Sequence, residues 1–385
     1  MDRPIVVVGG GIVGAAIAYR LQIAKQPTIL VERDVEPQGA SAFSFASVSA
    51  FDEPQRDVYL LKAHGMVAWR RWAKEFGDDL GVSFPGELRW AESREAGSHL
   101  TTLVERAVSR GYPVRYANAE AVSAREPNAR VRNVTVGSLA PDDGQADPVQ
   151  AIQVLTHAFT EAGGELVIGR AGLLPTHDGI LVRVGDETVE AATVVLAIGA
   201  ETTTVLDRLG WDVPMEPSPG LLAVTTPVER FLTGTVYVYP ASHVAVHLRQ
   251  RDDGRVVIGE RAQDEVARHP TTEHAHLLLR QAASSFPALE DADIDHFTVE
   301  WRPMPRDGMP IVGRMPGLPS LYVATGHSGV TIAPALADFV AEELVEGKEA
   351  ERLKPLRPGR FSSRAADAMR SVEEAFVGGS ELYLG

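Results

Sequence analysis

Three glycines near the N-terminus limit what this chain can fold into more than any other feature. They stand as Gly9-x-Gly11-x-x-Gly14, directly after the apolar run Ile5 to Val8 and directly before the helix formers of Ala15 to Ala24. A strand that turns on glycine into a helix brings backbone N–H groups to the positive helix end, where a pyrophosphate is stabilised. Thr28 to Val31, rich in β-branched residues, reads as the next strand, and Glu32 follows it eighteen residues after Gly14. A carboxylate at that strand tip accepts hydrogen bonds from ribose hydroxyls. The complete βαβ unit predicts a dinucleotide site, with Gly9, Gly11, Ile12, Val13, Gly14, Glu32 and Arg33 as candidate contacts. NAD and FAD sites both use this fingerprint, so the choice between them rests on other segments.

The remaining pattern predicts two intermixed architectures. A small-residue loop, Gly39 to Ser49, precedes a helix from about Asp57 to Phe76, whose Val58, Leu61, Val67 and Trp72 fall roughly on one face and which Gly65 weakens locally. Residues 80 to 140 change character, with several prolines and short mixed segments, as an insertion would. Gln150 to Ala162 reads as a helix, and Thr193 to Ile198 as a strand buried on both faces. From 216 to 300 the chain is rich in strands, including Leu221 to Thr225, Thr235 to Tyr239, Val244 to Arg249 and Arg255 to Gly259, with one helix near Glu273 to Ser285. Leu321 to Thr325 then reads as a strand, Gly326 to Gly329 as a turn and Ile332 to Glu346 as a helix, and the tail from Leu356 as a loop followed by a short amphipathic helix. The expected fold is α/β: a discontinuous Rossmann-like domain (1–80, 141–215 and 301–385) and an α+β substrate domain on a mainly antiparallel sheet (81–140 and 216–300).

Composition removes several function classes. The 385 residues include 52 acidic and 37 basic side chains, a formal charge of -15 that opposes binding to nucleic acid or anionic lipid. There is no cysteine, so disulfides, thiolate metal sites and a thioether link to a cofactor are excluded. No window approaches the roughly 20 apolar residues that span a bilayer, and the short run before Gly9 does not form a signal peptide. A cytoplasmic protein without an integral membrane segment is expected. His243 and His247 are four apart, but no carboxylate completes a ligand set and no metal site is expected. Trp69 with Trp72, Arg70-Arg71, and Glu342, Glu343 and Glu346 read as helix packing and solvated faces.

Four further segments carry a resemblance. They are Gly39-Ala40-Ser41-Ala42-Phe43-Ser44-Phe45-Ala46-Ser47, Ala197-Ile198-Gly199-Ala200, and Trp301 to Gly313 followed by Tyr322 to Pro334. In that order they resemble the FAD-dependent oxidoreductases of the D-amino-acid oxidase superfamily, the glycine oxidase and sarcosine oxidase type. The resemblance implies non-covalent FAD, since Phe43 and Phe45 stand where some relatives place a linking histidine. It implies that Ser41, Ser44 and Ala46 lie along the pyrophosphate and ribityl chain, and that Gly199 contacts the ADP half. It matches Ala171 to a backbone contact with adenine, a position equally suited to an ordinary core alanine.

The turn Gly326, His327, Ser328, Gly329, Val330 and Thr331 would set a helix end beside the flavin ring, favouring charge on the reduced form. It is shorter than the glycine oxidase turn, which separates its substrate contacts from those of that relative. Arg302 matches the arginine that pairs with a substrate carboxylate in many relatives and is also a candidate contact of the cofactor, and His327 is the other candidate for chemistry. Tyr237 and Tyr239 share a strand face and serve either as ligand contacts or as core. The implied reaction is oxidation of a C–N bond in a small amine or amino acid, with oxygen or another electron acceptor. Two alternatives stand beside it: oxidation or rearrangement of an amine in a specialised pathway, and a flavin subunit of a larger oxidase complex. The oligomeric state is left open, a homo-oligomer included.

Overall fold

The structure is a computed structural model that describes residues 3–176, 179–241, 244–260, 271–361 and 382–383. Its first sheet has six strands, in the order Ile311–Met315, Leu318–Thr325, Thr193–Leu196, Ile5–Val8, Thr28–Glu32 and Glu165–Ile168. All neighbours are parallel except the first two, which form an antiparallel hairpin. Ile5 to Val8 are all buried because both faces are covered. Strand alternation sends Ile5 and Val7 into one apolar cluster, with the helices Ile12–Ile23, Arg56–Phe76 and Gly329–Leu344, and Val6 and Val8 into another.

The second sheet has eight strands: Ile294–Trp301, Pro219–Thr225, Val256–Glu260, Val246–Gln250, Thr235–Tyr239, Glu87–Ala91, Val136–Ala140 and Arg115–Ala117. Only Thr235–Tyr239 beside Glu87–Ala91 is parallel. One face is apolar. Leu88, Trp90, Leu221, Val236, Val238, Leu248 and Ile258 pack with Ala275, Leu278 and Ala282 of the helix Thr272–Ser285. The opposite face carries Glu87, Arg89, Tyr237, Tyr239, His247 and Arg249, by the period of two along each strand. This face also carries the small cluster of Leu222, Val224 and Val257 against Phe45, and its other, mostly polar side chains face the space between the two sheets. The whole is the α/β fold expected: a Rossmann-like domain beside a domain built on a mainly antiparallel sheet.

Several local expectations change. The fingerprint helix begins at Ile12, not Ala15, because Gly11 is already its extended N-cap. The loop after Glu32 contains a helical turn, Gly39–Ala42, and a two-residue strand, Ser47–Val48. Val67 is 69% exposed, and the buried stripe of its helix runs instead through Val58, Leu61, Lys62, Gly65, Trp69 and Trp72. Gly65 has a packing purpose there. A Cβ on it would stand 2.0 Å from the Thr331 carbonyl oxygen, so its absence lets this helix meet the start of Gly329–Leu344. Glu343 is not on a solvated face: it accepts hydrogen bonds from Tyr322 and Ala350 and pairs with Arg357. Trp69 and Trp72 are buried, as helix packing requires. The expected amphipathic helix of the tail falls largely on residues 362–381, outside the described residues, as does His243.

Candidate active site

Between the two sheets lies a cavity of about 840 Å³. Its walls at one end are backbone. Gly9 has φ +102°, and a Cβ there would come 2.6 Å from the Ala197 carbonyl oxygen. Gly11 is similarly confined, with a Cβ placed 3.0 Å from Ser41 Oγ, and the Ile12 amide donates to that hydroxyl at 3.2 Å. Glu32 accepts from the Gly10 amide and, at 3.1 Å, from the Asp34 amide. Arg33 pairs with Asp34 and with Glu201 at 3.1 and 3.2 Å.

The candidate residues Gly9, Gly11, Ile12, Val13, Glu32, Arg33, Ser41, Ser44 and Ala46 all line this cavity, as do Ala171 and Gly199. Gly14 does not. It is buried within the helix, where a Cβ would fall 1.8 Å from the Gly9 carbonyl oxygen, so its part is to let helix and turn close on each other. Thr203, also in the wall, has a buried hydroxyl without a hydrogen-bond partner among the described residues.

The other end is made of side chains. Gly326, His327, Ser328, Gly329, Val330 and Thr331 form one wall. Their turn is held by the helix Arg56–Phe76 and the small-residue segment: Trp69 Nε1 donates to the Val330 carbonyl at 2.7 Å, and Thr331 Oγ1 to the Ser47 carbonyl at 2.9 Å. Ser328 takes a left-handed φ of 61° as the helix N-cap, and its hydroxyl lies 3.0 Å from His327 Nδ1. The His327 imidazole is pushed down to about 3 by desolvation, with the Lys62 and Arg302 cations adding and Asp52 opposing. It is therefore neutral near pH 7. Arg302 lines the same end, its Nη2 donating to Ser218 Oγ at 2.5 Å and its Nε to the Ser218 carbonyl at 3.3 Å.

Tyr237 lines the cavity and Tyr239 stands behind it, joined to the site through Arg89. Arg89 went unnoticed in the sequence. It is 2% exposed, bonded to Glu87 at 2.5 Å and Asp52 at 3.4 Å, and lies over the rings of Tyr237 and Phe51 at 4.1 and 4.3 Å. Desolvation opposes its charge, but Glu87, Tyr239 and Asp52 hold the guanidinium well above its ordinary range. Desolvation and Glu87 likewise keep Tyr237 a neutral hydroxyl.

Lys62, Asp52, Ser49 and Glu300 are further lining residues that sequence reasoning passed over, and His247, weighed there only as a metal ligand, lines the cavity too. Lys62 had a local signal, since it interrupts the buried stripe of its helix, as had Glu87 and Arg89, which alternate with the apolar Leu88 and Trp90. Lys62 is bonded to Glu53 at 2.8 Å, both nearly buried. Ser49 donates at 2.7 Å to Asp143, whose burial and nearness to Glu87 raise its carboxyl well above the usual range.

A long cavity with a glycine-amide wall, a strand-tip carboxylate and a polar far end has the donors and the room for a dinucleotide with a reactive ring. The family model for FAD-dependent oxidoreductases matches residues 4–343. The chain belongs to this family. The FAD-dependent oxidoreductase is similar to one of the subunits of the opine oxidase of Rhizobium meliloti, at 25% identity over 94% of the chain and 98% of that relative. It is also similar to glycine oxidase of Bacillus licheniformis, at 26% identity over 90% and 96%. The fold matches that of Geobacillus kaustophilus glycine oxidase, with a TM-score of 0.81 and 23% identity over 92% of this chain and 98% of the other. The resemblance seen in the sequence thus holds: the protein is an FAD-dependent enzyme. Among the described residues no helix is long and apolar enough to cross a membrane.

Proposed function

We propose that this enzyme oxidises the C–N bond of a small amine or amino acid that carries a carboxylate. The observation that carries the reading is a single cavity with the glycine fingerprint at one end and Arg302, Tyr237 and neutral His327 at the other. The relatives named glycine oxidase and opine oxidase support it. In this reading Gly9, Gly11, Ile12, Val13, Glu32 and Arg33 hold the ADP half with Ala171 and Gly199, and Ser41, Ser44 and Ala46 follow the pyrophosphate. The segment from Gly326 to Thr331 holds the ring, and Gly14 acts through the turn. FAD is dissociable, and supplies a two-electron acceptor for the hydride on the carbon next to nitrogen. The substrate thereby loses a hydride and its N–H proton, and water converts the resulting imine to a carbonyl compound and an amine or ammonia.

The chain's own residues bind, orient and exclude water. Arg302 offers a planar fork to the carboxylate, and Ser218 fixes that fork from behind. Neutral His327 and Tyr237 add no competing charge beside the amine, which has to be unprotonated to give up hydride. The apolar rings of Phe45 and Trp301 and the packed turn at His327 limit water. We place the domain boundaries where the two sheets exchange the chain, near residues 80, 140, 215 and 300.

The test is the absorbance spectrum of the purified protein, followed by anaerobic addition of pooled amino acids and secondary amines. Flavin bands that bleach with one pool support the reading. Flavin that no amine bleaches, while another class of reductant does, overturns it. The likeness to a component of opine oxidase favours a second reading, in which the chain is the flavin subunit of a larger oxidase. Native mass with turnover of the isolated chain separates the two, since a dependent subunit bleaches with substrate but turns over only with its partner.

A further inference from the structure

The cavity-side face of the eight-stranded sheet carries two buried arginines in opposite circumstances. Arg89 is answered twice, by Glu87 and by Asp52. Arg249, on Val246–Gln250, is equally buried at 2% exposure, yet its Nε and Nη2 have no hydrogen-bond partner among the described residues. No carboxylate of those residues forms an ion pair with it. Asp147 and Asp253 act only from a distance, and Arg251 opposes them. Desolvation brings its guanidinium down to about 10, which still leaves it charged at neutral pH.

Its position relates it to the active site. Arg249 lies two residues from His247, so the two side chains leave the strand on the same face. His247 lines the cavity, stacked 5.0 Å from the Tyr237 ring. Phe45, which also lines the cavity, sets its ring edge-on to His247 at 4.2 Å and 5.9 Å from the Arg249 guanidinium carbon. One aromatic ring thus stands between the open cavity and a cation whose Nε and Nη2 find no acceptor among the described residues. The same face offers no comparable welcome at Arg89, where two carboxylates for one guanidinium would repel an anion.

We propose that Arg249 is a specificity residue that receives a second carboxylate of the substrate, so that the preferred amine is dicarboxylic, with Arg302 holding one end and Arg249 the other once Phe45 turns aside. This rests on the reading of the cavity as an amine-oxidising site. A guanidinium fork matches a carboxylate in shape and charge, and hydrogen bonds to charged groups are the stronger class. The donors are already buried from bulk solvent, so an arriving carboxylate satisfies groups much of whose desolvation was settled on folding.

The experiment compares glycines N-substituted with carboxyethyl, carboxypropyl and carboxybutyl arms against the matching propyl, butyl and pentyl compounds, using the full chain loaded with FAD. Steady-state KM and the ligand-induced rise in Tm are both measured, the latter reading binding even where no turnover occurs. For at least one arm length the carboxylate compound is expected to bind about 10- to 100-fold tighter than its alkyl match. Arg249→Met is expected to abolish that preference while leaving FAD content and the response to the alkyl compounds intact, and Arg249→Lys to restore part of it. Arg249→Met is also expected to hold or raise the unliganded Tm, because it removes a buried charge that no carboxylate of the described residues pairs with. Equal binding of both series by the wild type overturns the proposal, as does a preference that survives Arg249→Met. A purely structural arginine shows itself as a lower Tm and lost flavin in Arg249→Met. If no amine bleaches the flavin but the carboxylate preference in Tm follows Arg249, the subsite stands and the amine-oxidation reading falls.

Discussion

The two ends of the cavity are built from different materials. At the fingerprint end the wall is main chain, and the residues that matter are those whose side chains are absent: Gly9, Gly11 and, behind them, Gly14. At the Arg302 end the wall is side chain, gathered from the helix Arg56–Phe76, six strands of the second sheet and the turn before Gly329–Leu344. A backbone site tolerates little, because what it needs is space and a fixed turn. A side-chain site can be retuned one residue at a time, which is how one scaffold serves many substrates.

The sharpest test of that contrast is a single methyl group at the fingerprint end. Gly14→Ala places a Cβ 1.8 Å from the Gly9 carbonyl oxygen, and neither partner is the far end of a flexible side chain. Helix and turn have to separate, so purified Gly14→Ala is expected to carry little or no flavin, read from the ratio of flavin to protein absorbance. Full flavin content would show that the turn is softer than its packing implies. Nothing comparable is expected from adding a methyl at Gly185, where no atom of the described residues stands within 4 Å, beyond the modest strain of a left-handed residue.

Next in size is the buried pair beneath the side-chain end. Lys62 and Glu53 are bonded at 2.8 Å with side chains 8% and 10% exposed. Removing one member leaves the other buried and unpaired, at a cost of about 3–5 kcal/mol. Lys62→Met is therefore expected to lower stability by that order in denaturant unfolding, whereas the double variant Lys62→Met with Glu53→Gln recovers most of it. A single variant as stable as the wild type would mean that Glu53 finds solvent, and that this end is looser than its burial suggests.

Arg302→Lys is a smaller change with a more specific reading. It keeps the charge and removes the fork that Ser218 orients. For a carboxylate substrate, KM is expected to rise roughly 10- to 100-fold, with flavin content unchanged. An unchanged KM would take Arg302 out of substrate binding and leave it as a brace for the strand Pro219–Thr225.

The same contrast explains what could be read from the sequence. Gly9, Gly11, Gly14 and Glu32 lie within one short stretch, so their spacing alone specifies the turn, and the strands Ile5–Val8 and Thr235–Tyr239 were visible from apolar run and β-branched content. The Gly326 to Gly329 turn was visible as a turn, but its role, like that of Arg302, was legible only through resemblance. Arg89 and Lys62 left only local signals, an alternation and an interrupted apolar stripe, that do not reveal what they meet, and Asp52 left none. They approach the site from Glu87–Ala91, Arg56–Phe76 and the segment between, and no local spacing encodes a meeting made by tertiary packing. Val67 shows the converse error: hydrophobicity placed it inward, whereas the close approach at Gly65 turned the helix so that Val67 points to solvent.

The smallest effect expected concerns His327, and it follows from the direction of its shift. Desolvation, with Lys62 and Arg302 adding to it, takes the imidazole from its ordinary 6.5 down to about 3. Between those values the unfolded chain holds a proton on this group and the folded chain does not. The contribution of His327 to stability is thus fully present above about pH 6.5 and is lost as pH falls toward 3. Activity behaves differently over the physiological range, because a group already neutral has nothing to titrate there. Log kcat/KM plotted against pH is therefore expected to have the same slope and inflections between pH 5 and 8 in His327→Asn and in wild type, whatever the absolute rates. The acid loss of Tm between pH 6 and 4 is expected to be shallower in the variant. An inflection near pH 6 that vanishes with His327→Asn would show an imidazole exchanging protons with solvent, and would place water beside a turn that Trp69 and Thr331 pin shut against it.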